Sequence, residues 1–196
     1  MDRNFARALP LVLKHEGGWA DHPEDPAGAT MKGVTLATFR RYVKANATKA
    51  DLRAITDEQL STVYYRHYWS AVNAAALPSG VDYAVFDFAV NSGPTRAVKF
   101  LQRVVGVKED GRVGPATVAA VKRLGATLTI IKLCNARLAW LKTLKTWKTF
   151  GKGWSRRVAD VEKAASAMVN KPADVEHIVP DAVDKAVEKQ TNGWGW

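Results

Sequence analysis

Glu16 stands before Gly17-Gly18-Trp19, and the next eleven residues carry Asp21, Glu24, Asp25 and Thr30. A carboxyl at a helix end, two glycines, an aromatic ring and a loop rich in acids and hydroxyls are the parts of a glycoside-cleaving site. Such a site needs one carboxylic acid to protonate the leaving oxygen and a carboxylate to hold water or offset oxocarbenium charge. Glu16 is the candidate acid. The partial negative charge of a helix C-terminus and water exclusion by Trp19 both favour its protonated form. The glycines let a sugar chain come close to the backbone. Asp25 is the candidate second carboxylate, with Asp21 and Glu24 as rivals, and Thr30 is placed to orient a water.

Helices must position these groups, because strand signals are scarce and 3.6-residue periodicity dominates. Residues 3–16 place Phe5, Leu9, Val12 and Leu13 on one face and stop at Gly17-Gly18. Residues 19–34 read as an irregular loop. Thr35 caps a helix to about Val43, and the Thr56/Gln59 pair forms a capping box ahead of a helix through about Trp69. Pro78-Ser79-Gly80 opens an apolar helix through about Val90, and a further helix follows Asn91-Ser92-Gly93-Pro94. Pro115 suits the first turn of a helix to about Leu124. A long helix spans about 127–147, and Gly151-Lys152-Gly153 separates it from a last helix through about Val169. Residues 171–196 read as a tail.

Aromatic faces bind sugar rings, which makes Trp19, Tyr68 and Trp69 candidates for a cleft. Core packing competes for Trp69. Asn91 suits an N-acetyl group or Glu16. Asp87 lies one helical turn before it on the same face, as a buried partner or a site residue. Arg156 and Arg157, beside Trp154, are candidates for gripping anionic glycan or peptide carboxylates, and a solvated helix start is the equal alternative.

Composition narrows the partners. The 196 residues hold 29 Lys and Arg against 19 Asp and Glu, a net charge of +10. A basic surface draws anionic partners such as cell wall, anionic lipid or nucleic acid. No nucleic-acid motif and no apolar run of membrane-spanning length appears. The four histidines lack metal-ligand spacing, and Cys134 is the lone cysteine. Neither a metal nor a cofactor is expected. Met1-Asp2-Arg3-Asn4-Phe5 lacks the apolar stretch of a signal peptide. Synthesis in the cytoplasm, with action in the periplasm or cell wall after export or release, is therefore expected.

The blocks Glu16-Gly17-Gly18-Trp19, Asp25-Pro26-Ala27-Gly28-Ala29-Thr30 and Gly33-Val34-Thr35 resemble the N-terminal signature of glycoside hydrolase family 108. Tyr68-Trp69 and residues 85–93 look like later blocks of that family. Leu101-Gln102, residues 110–117 and residues 153–157 look like its companion peptidoglycan-binding module. Ala27 and Trp19 depart from the usual glycine and tyrosine. The resemblance implies an N-acetylmuramidase of the kind found as phage endolysins and in bacterial secretion or release systems, with Glu16 as the catalytic glutamate. The implied fold is mostly α: a lysozyme-like helical catalytic region (1–93), a packed C-terminal helical module (94–170) and the tail. The implied partner is the peptidoglycan glycan strand, cut by a monomer. The alternatives are a lytic transglycosylase on the same bond and a non-catalytic wall-binding protein.

Overall fold

The computed structural model describes residues 3–22 and 28–170. Asp25 and its rival Glu24 lie outside the described residues, as does the expected tail.

The first helix, α1 (Arg3–Leu13), buries Phe5, Ala8 and Val12, the one-sided spacing of an amphipathic helix. A small antiparallel hairpin follows, β1 (Thr30–Met31) and β2 (Val34–Thr35), with Thr30 opposite Thr35 and Met31 opposite Val34. Ala20 adds a bridge to Thr30 through paired backbone bonds of 2.8 and 3.0 Å. The sequence reads as loop here. Two residues per strand are too few for an alternation signal.

Three short helices come next. Thr35 caps α2 (Leu36–Tyr42) as expected, its hydroxyl accepting from Thr38 N. A capping box at Thr48 and Asp51 starts α3 (Lys49–Arg53). The expected Thr56/Gln59 box starts α4 (Asp57–Tyr64). That helix does not run on regularly to Trp69. It widens into a π-helical turn, Tyr65–Trp69, closed by Ser70 N donating to Tyr65 O at 2.8 Å.

The centre of the molecule is α5 (Val81–Ser92). Every residue from Val81 to Ala89 is buried, which marks a helix surrounded by others rather than one lying on a surface. Asp82 anchors its start: one carboxylate oxygen accepts from Gly80 N and Tyr83 N, and the other accepts from Asn4 of α1 at 2.7 Å. The remaining helices are α6 (Pro94–Val105), α7 (Pro115–Leu124), α8 (Ala126–Lys142) and α9 (Trp147–Asn170). Pro94 and Pro115 open their helices as the sequence suggested. Helices α1, α6, α8 and α9 all pack on α5, and α8 packs along α9.

The last break falls elsewhere than expected. It lies at residues 143–146, and Gly151-Lys152-Gly153 runs inside α9. Packing explains the first glycine: a Cβ on Gly151 would stand 2.7 Å from the Trp147 ring, one turn earlier. Glycine here makes room for an indole and does not end the helix. Among the described residues, no helix is long and apolar enough to cross a membrane.

Candidate active site

Glu16 sits just past α1. After Leu13 the chain tightens, with His15 N donating to Val12 O (3.0 Å) and Glu16 N to Leu13 O (3.2 Å). Gly17 and Gly18 then leave the surface open, with nothing within 4 Å of a methyl group placed on either. The Glu16 side chain is 16% exposed, deep enough to be held and open enough to be reached.

The β1–β2 turn closes one side of the carboxyl. Lys32 (φ 46°) and Gly33 (φ 74°) are its two central residues, the backbone of a type I′ hairpin turn. A Cβ on Gly33 would lie 2.8 Å from Glu16 Oε2 and 2.7 Å from the Tyr64 hydroxyl, closer than such atoms pack. Glycine is therefore required for both the dihedral and the approach. The Tyr64 hydroxyl donates to Lys32 O at 2.8 Å and ties the turn to α4.

The other side is a chain of charges. Arg157 of α9 donates from Nη1 to Glu16 Oε1 at 2.9 Å. The same guanidinium donates from Nη2 to Asp87 Oδ2 at 2.8 Å, and its Nε reaches both Asp87 oxygens at 3.1 Å. Arg137 of α8 donates from Nη1 to Asp87 Oδ1 at 2.7 Å. Burial alone would push the Asp87 carboxyl up. The charges and hydrogen bonds of Arg137 and Arg157 outweigh that and hold it below the usual carboxylate range. The Arg137 guanidinium also lies 5.0 Å from the Phe88 ring centre, a cation–π contact. Asp87 thus lies between two guanidinium groups, and Glu16 meets the outer one.

Tyr64 and Tyr68 complete the wall. Burial, then the negative charge of Glu16, pushes the Tyr68 phenol up to about 12 and the Tyr64 phenol further still. Both hydroxyls stay protonated near neutral pH. Tyr68 is half-buried, set against His67 with ring centres 4.5 Å apart and against Tyr64 at 5.5 Å. The π-helical turn sets the positions of His67, Tyr68 and Trp69.

Several sequence candidates take other positions. Trp69 is 1% exposed and meets Phe5 and Phe86 edge-on, so it is core and offers no face to a sugar. Asp87 is fully buried and bound by Arg137 and Arg157, so it offers no surface to a substrate. Arg157 grips Glu16 and Asp87, in place of the glycan or peptide carboxylates expected for it. Asn91 accepts from Ser92 Oγ at 2.9 Å, and no bond joins it to Glu16. Asp21 pairs with Lys49 at 2.9 Å. Trp19 is half-buried with Arg53 over its ring at 5.6 Å. The Thr30 backbone is fixed between Ala20 and Thr35. Trp154 is half-buried among Trp147 and Phe150.

Three contributors were missed. Arg137 sits 50 residues from the aspartate it binds, with no local signal. Tyr64 lies one turn before Tyr68, and that spacing gave a usable hint. Gly33 was noted only as part of a motif.

A partly exposed carboxyl on a guanidinium, walled by a β-turn and phenols inside a helical fold, defines a lysozyme-like glycosidase. The comparisons give the family. The family description Glycosyl hydrolase 108 matches residues 9–93. A solved structure titled "Structure of Brucella abortus SagA" is 49% identical, with 87% of this chain and 98% of that chain covered and a TM-score of 0.77. No curated protein matches. The chain belongs to glycosyl hydrolase family 108 and is a peptidoglycan hydrolase.

Proposed function

We propose that the chain hydrolyses the β-1,4 bond between N-acetylmuramic acid and N-acetylglucosamine, as a lysozyme-type N-acetylmuramidase. The observation that carries this reading is the Glu16 carboxyl, held by Arg157 at 2.9 Å and still 16% exposed. Arg157 occupies Oε1, which leaves Oε2 as the oxygen that carries the transferable proton. Donation to the glycosidic oxygen leaves a carboxylate, and the guanidinium already stands beside it to stabilise that charge. No reorganisation is needed at the moment of transfer.

Asp25 holds the attacking water or offsets oxocarbenium charge, and Thr30 helps to orient that water. Trp19 and Tyr68 line the sugar path. Residues 94–170 act as the wall-binding module and add Arg137 and Arg157 to the catalytic region. The protein works as a monomer in the periplasm or cell wall after export or release.

Glu16→Gln keeps the charge-independent shape of the side chain and removes the proton. It should lower wall lysis by at least about a hundredfold with the melting temperature nearly unchanged. Retained lysis would reject Glu16 as the acid. Mass spectrometry of digested sacculi should show reducing muramic ends. Anhydro-muramic ends would replace hydrolysis with transglycosylation.

A further inference from the structure

One face of α9 continues past Arg157 toward the helix N-terminus. Trp154, Phe150 and Trp147 precede Arg157 by three, seven and ten residues, so all four share that face. At a rise of ~1.5 Å per residue, Trp154 and Phe150 lie about 4.5 and 10 Å along the axis from Arg157. The Trp154 ring packs between its neighbours, 5.7 Å from Phe150 and 6.2 Å from Trp147. Phe150 is 52% exposed, the most open large apolar side chain among the described residues. Gly151 lets the Trp147 ring lie flat against the helix.

Charge surrounds these rings. Lys142, Lys145, Lys148, Lys152 and Arg156 are all exposed, and no Asp or Glu lies between residues 142 and 156. The first turn of α9 carries no acid, although a helix N-terminus disfavours cations. Among the described residues, none of these five cations is in an ion pair. Folding alone gives no reason to collect unneutralised cations at that end.

We propose that Trp147, Phe150 and Trp154 form a remote subsite for the peptidoglycan strand, with the surrounding lysines meeting its stem-peptide carboxylates. The inference rests on the lysozyme-type reading above. Aromatic rings suit the apolar faces of sugars, and the cations suit the anionic substituents that a neutral glycan lacks. The occupant is a wall strand rather than an anionic membrane because the same helix carries the buried Arg157, whose guanidinium is hydrogen-bonded to Glu16.

The test uses the full chain carrying Glu16→Gln, so that binding is measured without cutting. Sedimentation with purified sacculi should show about three- to tenfold weaker binding for Phe150→Ala, whose exposed ring can be lost without unfolding. Lys148→Glu with Lys152→Glu should weaken binding similarly and reduce its salt dependence. Unchanged sacculus binding in both variants would overturn the subsite. So would variants that lose binding to phosphatidylglycerol vesicles while keeping sacculus binding, because the patch would then serve a membrane. The lysozyme-type reading is checked separately, by reducing ends released by the chain with Glu16 intact. Their absence removes that reading while the binding difference still stands or falls by itself.

Discussion

Arg157 holds two carboxylates in opposite settings. Asp87, behind it, is fully buried on the central helix and is bound by two guanidinium groups. Glu16, in front, is partly exposed, sits past the end of a helix and receives one hydrogen bond from Arg157. The rear carboxylate is locked in its charged form by packing and pairing. Among the described residues, the front one has one oxygen, Oε2, with no hydrogen-bond partner. With Glu16 as the acid proposed above, the difference divides the labour: helices α5, α8 and α9 fix the guanidinium, and proton transfer is left to a group with fewer partners. A catalytic acid must exchange its proton, whereas its support must not.

The sharpest way to break this comparison is to remove the rear carboxylate. Among the described residues, Asp87→Ala leaves the buried Arg137 without its ion-pair partner and Arg157 with Glu16 alone. Stability should fall by about 3–5 kcal/mol, the usual cost of orphaning a buried charge. Activity should fall as well, because Arg157 loses its anchor. Urea unfolding and wall lysis measure the two effects. A variant as stable as the parent would show that the buried pairing is not structural. The pH dependence follows from the same residue. The folded-state carboxyl of Asp87 is held below the usual range. Its contribution is therefore present above its unfolded value of about 3.9 and is lost as pH falls through the lower folded value. Acid unfolding below about pH 4 should be steeper in the parent than in Asp87→Asn.

The front half is tested at Gly33. Gly33→Ala introduces a Cβ that would lie 2.8 Å from Glu16 Oε2, at a φ of 74°. The carboxyl or the turn must shift by several tenths of an ångström. Rate should fall about ten- to a hundredfold, with a stability loss of about 1 kcal/mol. The two halves of the site then separate: the rear variant loses mostly stability, the front variant mostly rate. Equal losses in both would erase the division.

Local signals in the chain mark the front of the site and only part of the rear, where Asp87 and Arg157 stand out singly but neither their pairing nor Arg137 does. Glu16, the glycines after it and the caps at Thr35 and Thr56 depend on neighbours a few residues away, and all were legible. Asp87, Arg137 and Arg157 meet only because three helices converge, and their sequence separations of 50 and 70 residues leave no periodic trace. Trp69 was readable as either platform or core. The π-helical turn, which sets its position, has no compositional signature. Gly151 shows the reverse error: a residue that usually breaks helices is used here to admit an indole.

The smallest effect refines the front of the comparison. Tyr64→Phe keeps the ring packed and deletes one hydrogen bond, from its hydroxyl to Lys32 O at 2.8 Å. The hydroxyl also lies beside Gly33, the residue against which Glu16 Oε2 packs. If the turn is held chiefly by its own type I′ backbone, the loss should be about 1 kcal/mol in stability, with a rate change of only a few-fold. If the hydroxyl is what keeps the turn against the carboxyl, the rate should drop toward the Gly33→Ala value while stability changes little. Measuring kcat and the unfolding midpoint of both variants decides which of the two holds Glu16 Oε2 in place. We expect the backbone to dominate, because Lys32 and Gly33 adopt that geometry with the strand pairs Met31–Val34 and Thr30–Thr35 closed behind them.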